Sequence, residues 1–185
     1  MSSVEDTRGP VLLCLARASL VEAMGGPEQA MPEEPWLREP GACFVTLTQE
    51  NQLRGCIGSI EPRRPLGHDV RENARGAAFH DPRFPPLLEV ELRETRIEVT
   101  VLSPLETVEV QTEAEALAAL RPGVDGVVLS WGMKRGVFIP QMWEKLPVPA
   151  EFLFHLRQKA GLPVREWLSG TRVQRFTAAC FEEEE

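Results

Sequence analysis

The chain has 185 residues, of which 43% are hydrophobic and 26% charged, and its formal net charge at pH 7 is -8. This composition is typical of a soluble globular protein rather than of a disordered chain, and the length suits one domain of ordinary size. The acidic balance removes the general attraction on which nucleic-acid binding rests, and no apolar run approaches the roughly 18 residues of a membrane span.

The N-terminal residues and the cysteines indicate the compartment. The opening stretch MSSVEDTRGP lacks the basic and apolar regions of a secretory signal, so we expect a cytoplasmic protein. No Cys-x-x-Cys pair is present and the three histidines are scattered, so we expect free thiols and predict no metal site. The cysteines are Cys14, Cys43, Cys56 and Cys180.

The first helix is predicted over residues 7–24, because Thr7 can cap its start, a proline suits its first turn and a Gly-Gly pair can end it. Cys14 lies among leucines in this helix, and we expect it to be a buried, unreactive thiol. Residues 26–40 contain four prolines and predict an irregular surface segment.

A β-hairpin is predicted over residues 42–60, with a polar turn at residues 49–52 and Cys43 on its core face. Residues 65–81 predict a second helix with a narrow stripe of small apolar side chains, which would let the helix lie close to the sheet. Asp69 is expected on the opposite, polar face of this helix.

The C-terminal half mixes short strands and helices. Residues 95–104 predict a half-buried strand, 113–120 a short helix, 125–132 with 135–140 a hairpin, 148–163 a helix and 171–181 a closing strand. Gly136 is expected in a turn, and residues 182–185 in a solvated, frayed acidic tail. Without the regular strand–helix–strand alternation of parallel sheets, this order predicts an α+β fold with a mainly antiparallel sheet flanked by helices.

The hexad LRGCIG at residues 53–58 is the strongest candidate site. Alternation along a strand places Arg54, Cys56 and Gly58 on one face. The apolar Leu53 and Ile57 then lie on the other face, toward the core. Gly58 would leave a hollow beside Cys56, since glycine in a strand often marks close approach of a ligand or another backbone.

Cys56 and Arg54 are the candidate catalytic pair, because a guanidinium beside a thiol favours the nucleophilic thiolate. The alternative is that Cys56 packs as a small hydrophobic residue and that Arg54 pairs with a neighbouring glutamate.

Three further segments carry polar candidates. Glu61 and Arg63 precede the second helix, where they suit either a phosphate or carboxylate ligand or a solvated ion pair. Asp81 and Arg83 lie in a stiff proline-rich loop that is either a strut or one wall of a pocket. Gln141 follows a predicted strand, where it would orient a ligand or cap the backbone.

Five segments resemble, in order, successive motifs of the AMMECR-one domain family, whose prokaryotic members are called AmmeMemoRadiSam system protein A. They are LRGCIGSIEPRRPL, ENARGAAFHDPRFPPL, IEVTVLSP, RGVFIPQMWEKLP and FLFHLRQKAGLP, and the match extends from about Ala42 to Phe176. The resemblance implies one domain over residues 1–185 with a larger and a smaller lobe and a groove near LRGCIG. It also implies an association with a Memo-like protein and a radical SAM protein, but no particular reaction. The ligand-binding candidates carried by these motifs are Gly55, Gly58, Glu61, Arg63, Asn73, Asp81, Arg83 and Gln141.

Two functions follow from these residues. The first is an enzyme or enzyme subunit that acts on a small molecule or a modified macromolecule, with Cys56 as nucleophile or ligand and Arg54 assisting. The second is a non-catalytic binding or adaptor module whose cleft accepts a protein partner. A nucleic-acid binder that uses the arginines is opposed by the acidic net charge.

Overall fold

The computed structural model describes residues 5–184, and within it the chain divides into two compact units. The first unit holds the described residues up to Leu102 and those from Ala179 onward, and the second holds Ser103–Ala178. Each unit has its own antiparallel sheet flanked by helices, which confirms the predicted α+β class. The lobes and the groove implied by the resemblance stay predictions.

The helices and strands are short and closely spaced along the chain. The helices are α1 (Glu5–Ala23), α2 (Leu66–Phe79), α3 (Glu113–Ala119), α4 (Met142–Lys145) and α5 (Pro149–Ala160). The strands are β1 (Pro40–Gln49), β2 (Gln52–Gly58), β3 (Arg64–Pro65), β4 (Arg96–Leu102), β5 (Glu106–Val108), β6 (Gly126–Trp131), β7 (Lys134–Phe138), β8 (Arg172–Phe176) and β9 (Ala178–Glu182). Single 3₁₀ turns lie at Pro35–Arg38 and Glu89–Glu91.

The sheet of the first unit has the order β2-β1-β4-β9, with β3 paired to the start of β1, and α1 and α2 contribute side chains to its core. The predicted apolar stripe of α2 is confirmed, since all of its members are buried. They are Leu66, Val70, Ala74, Ala77 and Ala78. Cys43 is also buried as predicted, and this burial raises the pKa of its thiol.

Cys14 is exposed, so the prediction that it is buried was wrong. The inward positions of α1 are Leu12, Leu15, Ala16 and Leu20, which recur at the three- and four-residue spacing of one helix face. Cys14 lies between two of these leucines in sequence, but its position in the helical repeat turns it to the other side.

The predicted closing strand 171–181 is two strands that belong to different sheets, so this prediction was wrong in its continuity. The break is at Thr177, whose amide donates to Ser103 Oγ and whose carbonyl accepts from the Ser103 amide, both at 2.9 Å. Because Ser103 occupies both backbone groups, Thr177 cannot continue the ladder of β8.

The acidic C-terminus is not frayed at Glu183, contrary to prediction. The Glu183 carboxylate accepts from Arg17 Nε at 2.6 Å and from the Ile97 amide at 2.9 Å, and the Glu183 amide donates to the Ile97 carbonyl. These contacts fix the segment that follows β9 against α1 and β4.

The second unit has the sheet order β5-β8-β6-β7, with α5 packed against β6 and β7. Its core includes Phe152, which stacks on Trp143 at a ring-centroid distance of 3.8 Å. Gly136 lies within β7 opposite Leu129, so its predicted place in a turn was wrong. A Cβ at this glycine would lie 2.9 Å from the Ala160 Cβ, because α5 packs closely on the strand.

Within residues 5–184, none of the helices combines the length and the apolar character that a membrane crossing requires.

Candidate functional site

The hairpin that carries the hexad contains a β-bulge. Leu47 pairs with Gly55, but the preceding pair in β2 is Leu53 with Thr48, so Arg54 is an extra residue on this strand. A bulge of this kind interrupts the simple alternation of faces. Leu53 is consequently 43% exposed, and the prediction that it belongs to the core was wrong.

Cys56 lies opposite Thr46, and its side chain is on the face of the sheet away from the buried side chains of β1. Its thiol is partly exposed, and Sγ accepts a hydrogen bond from the Thr46 hydroxyl at 3.4 Å. The neighbouring Ile57 packs against the core. The predicted orientation of Cys56, away from the core face, is therefore what the structure shows.

Arg54 points to the segment that follows α2. Its Nε and Nη2 donate to the Glu91 carboxylate at 3.2 and 3.1 Å, and its Nη1 donates to the Pro85 carbonyl at 2.9 Å. The hydrogen bonding of Arg54 to the Glu91 carboxylate is the main reason why the pKa of Glu91 lies below its ordinary value. Within the described residues Arg54 makes no hydrogen bond to Cys56, so the pairing with a glutamate is the alternative that the structure shows.

Asp81 and Arg83 hold the outer edge of β2 at Cys56. The Asp81 carboxylate, which is buried, accepts from the Cys56 amide at 2.9 Å, and Arg83 Nη2 donates to the Cys56 carbonyl at 3.2 Å. Arg83 also donates to Asp81 through Nε at 2.9 Å and Nη2 at 2.7 Å. Since β2 is an edge strand, these two side chains satisfy backbone groups that would otherwise be open to another strand.

Arg83 rather than Arg54 is therefore the guanidinium beside Cys56. The hydrogen bonds with the Asp81 carboxylate raise the pKa of Arg83. The side chain of Arg83 is 54% exposed, so part of the guanidinium faces solvent next to the hexad.

The two glycines of the hexad are in contact with the protein's own atoms. A Cβ on Gly55 would lie 2.1 Å from the Ala77 carbonyl oxygen in α2, and a Cβ on Gly58 would lie 2.2 Å from the Phe44 ring. The hollow expected beside Gly58 is filled by that ring. Gly55 does allow close approach of a backbone, namely that of α2.

Three further candidates make contacts within the protein. Arg63 is 81% exposed and donates to the Glu61 carboxylate at 2.7 Å, as in the solvated ion pair considered from the sequence. Asn73 is buried, and its Nδ2 donates to the Cys43 carbonyl at 3.0 Å and to Asp69 at 2.9 Å. Asp69 is also buried, so its predicted place on the polar face of α2 was wrong.

Gln141 belongs to the second unit, directly before α4.

The structure brings Arg54, Cys56, Asp81 and Arg83 together along β2. Thr46 and Glu91 were missed from the sequence. Regular pairing of the hairpin strands across the turn would place Cys56 opposite Val45, so Thr46 reaches Cys56 only because of the bulge at Arg54. No local signal relates Glu91 to Arg54.

No group of three or more His, Cys, Asp or Glu side chains in the described part of the chain is arranged to hold a metal ion.

The Asp81 contacts predict an acid-sensitive contribution to stability. Its hydrogen bonds with Arg83, first of all, lower the pKa of Asp81 below its ordinary 3.8 in the folded state. A carboxyl whose folded pKa is depressed stabilises the fold above its unfolded pKa and loses this contribution as the pH falls below it. We expect Asp81→Asn to cost roughly 2 kcal/mol at pH 7 and to flatten the fall in stability below about pH 4.

Urea unfolding of the two proteins from pH 7 to pH 2.5 measures this difference. An exposed-carboxylate variant, Glu72→Gln, serves as the control and should follow the wild-type pH profile. Parallel profiles for Asp81→Asn and wild type would contradict the assigned role of Asp81.

The fold and the hexad define an α+β protein with two antiparallel sheets and a partly exposed cysteine clamped on an edge strand. The model of the AMMECR1 family matches residues 13–181, and the chain belongs to this family. It is 39% identical over 181 residues to a protein of Methanothermobacter thermautotrophicus, covering 95% of this chain and 94% of that protein. It is 37% identical to Protein MJ0810 of Methanocaldococcus jannaschii, with 92% and 87% covered.

A solved structure supports the same grouping. The crystal structure of the uncharacterized protein PH0010 from Pyrococcus horikoshii matches with a TM-score of 0.82 and 36% sequence identity. The match covers 95% of this chain and 91% of that one.

Proposed function

We propose that this chain is an enzyme, or a subunit of one, that uses the Cys56 thiol as a nucleophile toward a small molecule or a modified macromolecule. The observation that carries the proposal is the contrast between the backbone and the side chain of Cys56. Asp81 and Arg83 fix its amide and carbonyl, while its sulfur stays partly exposed and accepts a hydrogen bond from Thr46. A fixed, accessible nucleophile is what covalent catalysis needs.

The other thiols lack this combination. Cys43 is buried and its pKa is raised by burial. Desolvation of the sulfur, with Glu98 beside it, raises the pKa of Cys180 to about 11, although the residue as a whole is exposed. Cys14 is exposed on α1. Among the described contacts, no side chain holds its backbone as Asp81 and Arg83 hold that of Cys56. In the proposed step the Cys56 sulfur adds to the carbon of a carbonyl group and loses its thiol proton to solvent. The carbon–oxygen π bond opens, its electron pair moves to the oxygen, and the oxygen takes a proton from solvent.

The test is the rate at which each cysteine of the folded protein is alkylated by iodoacetamide between pH 6 and pH 9, resolved by peptide mapping. We expect Cys56 to react roughly tenfold faster than Cys14 at pH 7, because its backbone is held by Asp81 and Arg83 and the Thr46 hydroxyl donates a hydrogen bond to its sulfur. Thr46→Val should slow Cys56 and leave Cys14 unchanged. If Cys56 is no faster than Cys14, nucleophilic chemistry at this thiol is excluded.

A binding or adaptor module is the second candidate function, and a group of exposed apolar side chains favours it. Leu53, Leu88 and Val90 are 43%, 60% and 80% exposed. Leu53 precedes Arg54, and the Leu88 amide donates to Glu91, the partner of Arg54, at 2.7 Å. A protein partner would cover these side chains, and its binding would tolerate Cys56→Ser but not Leu88→Asp. A nucleophilic enzyme would show the reverse.

The proposed partners rest on the family resemblance alone. A Memo-like protein and a radical SAM protein are the first to test for complex formation with the full chain. The exposed apolar side chains around Arg54 are the surface that such a complex would be expected to cover.

A further inference from the structure

A cavity of about 450 Å³ is lined by residues of the second unit. This volume lies within the roughly 300–1,000 Å³ of small-molecule sites. Its apolar lining residues include three prolines and a tryptophan, and Gln141 and Glu144 are its polar ones. The lining residues used below are Pro122, Pro140, Gln141, Trp143, Glu144 and Pro147.

The walls of this cavity are held by internal contacts. The buried Asp125 carboxylate accepts from the Arg121 amide at 2.9 Å and from Arg121 Nε at 3.0 Å, which fixes the loop that contains Pro122. Trp143 Nε1 donates to the Asp125 carbonyl at 2.7 Å, and its ring stacks on Phe152. The loop and α4 are thereby joined, so the cavity is formed before any ligand arrives.

Two hydrogen-bond acceptors of the lining residues have no partner within residues 5–184. Gln141 Oε1 is buried and unpartnered, and the exposed Glu144 carboxylate makes no ion pair or hydrogen bond with the described residues. An unpartnered buried acceptor is unfavourable, and a small rotation of the Gln141 side chain toward a donor in the cavity would relieve it. The free carboxylate attracts a cation and repels an anion.

We propose that this cavity binds a primary ammonium group carried by a small apolar molecule. Glu144 is the counter-ion, Gln141 Oε1 accepts one of the ammonium hydrogens, and Trp143 with the prolines contacts the apolar part. The positive charge is required because the cavity offers a carboxylate with no cationic partner. This site shares no residue with the proposed thiol chemistry, since none of its lining residues belongs to the hexad or is Asp81 or Arg83.

The experiment is a titration of the full-length, ¹⁵N-labelled protein with hexylammonium, followed through the Trp143 indole N–H resonance, which Trp143→Phe identifies. Hexan-1-ol is the matched neutral probe. We expect a saturable shift with hexylammonium and at least about tenfold weaker binding of hexan-1-ol. Glu144→Gln should weaken hexylammonium by a similar factor, and Gln141→Leu by at least about threefold.

Two variants separate specific from general effects. Lys145→Gln changes the neighbouring exposed residue outside the lining, and it should leave the affinity for hexylammonium within about twofold or raise it slightly. Cys56→Ser should bind hexylammonium as the wild type does, so a failure of the thiol proposal would not affect this result. The proposal is overturned if the Trp143 resonance does not shift saturably, if hexan-1-ol binds equally well, or if Glu144→Gln leaves the affinity unchanged.

Discussion

Replacing Gly55 by alanine is expected to destabilise the protein by about 3 kcal/mol, because the new methyl group would meet a backbone atom that cannot rotate away. The nearest atom is the Ala77 carbonyl oxygen at 2.1 Å, followed by the Ala77 carbonyl carbon at 3.0 Å. Helix α2 and strand β2 would have to move apart to admit the methyl group. That movement would also loosen the packing of the small residues in the α2 stripe.

Gly25→Ala is the matched control for this prediction. Gly25 has a φ of +90°, and a Cβ there would have no heavy atom within 4 Å, so its replacement tests backbone strain without a clash. It should cost about 1 kcal/mol. Equilibrium unfolding in urea measures both variants. An equal cost for the two would contradict the close contact between α2 and β2 at Gly55.

Gly55→Ala also distinguishes between two explanations for the glycine at position 55. If Gly55→Ala is stable but abolishes the reactivity of Cys56, the glycine keeps space for a ligand. If it is unstable and the folded fraction still reacts at Cys56, the glycine serves the packing of α2 alone. We expect the second result, since Ala77 already occupies the space where the Cβ would be.

Local periodicity was enough to predict most of the elements of this fold. The stripe of α2 repeats at helical spacing, and Cys43 shares a face of β1 with Val45 and Leu47, so both were placed correctly in the core. The same reasoning failed where the local repeat was interrupted. The bulge at Arg54 moves Leu53 out of the core, and only the pairing with β1 reveals it.

Contacts between distant residues could not be predicted from the sequence. Arg54 and Glu91 are separated by 37 positions, and Glu183 reaches Arg17 across 166. Nothing in either local sequence selects one oppositely charged partner over another. The orientation of Cys56 was predictable because it depends on strand alternation, whereas the arginine beside it was not, because Arg83 comes from the loop after α2.

Asp69 illustrates why a charged residue in an amphipathic helix can be misplaced. Its charge predicts solvent exposure, yet it is only 1% exposed. The carboxylate accepts from the Cys43 amide at 3.0 Å, Asn73 Nδ2 at 2.9 Å and Arg64 Nε at 2.8 Å, and also from the Ser59 hydroxyl. Several donors aimed at one carboxylate compensate for its burial.

We therefore expect Asp69→Ala to destabilise the protein by about 3–5 kcal/mol, because it leaves buried donors of β1 and α2 without an acceptor. The Cys43 amide and Asn73 would lose their common partner, and Ser59, one residue beyond β2, would lose its anchor. Urea unfolding measures the loss. Alkylation of Cys56 in the folded variant shows whether the end of β2 has also shifted.

Arg64→Met is the control that isolates the charge pair from the rest of the network. The Arg64 side chain is 43% exposed but the Asp69 side chain is only 2% exposed, so Arg64→Met leaves a buried carboxylate that keeps its neutral donors, and it should cost about 1–2 kcal/mol. Asp69→Ala must then cost clearly more than Arg64→Met. Equal losses would show that Asp69 serves only its arginine partner, and the account of α2 as joined to β1 and to the end of β2 through this carboxylate would have to be abandoned.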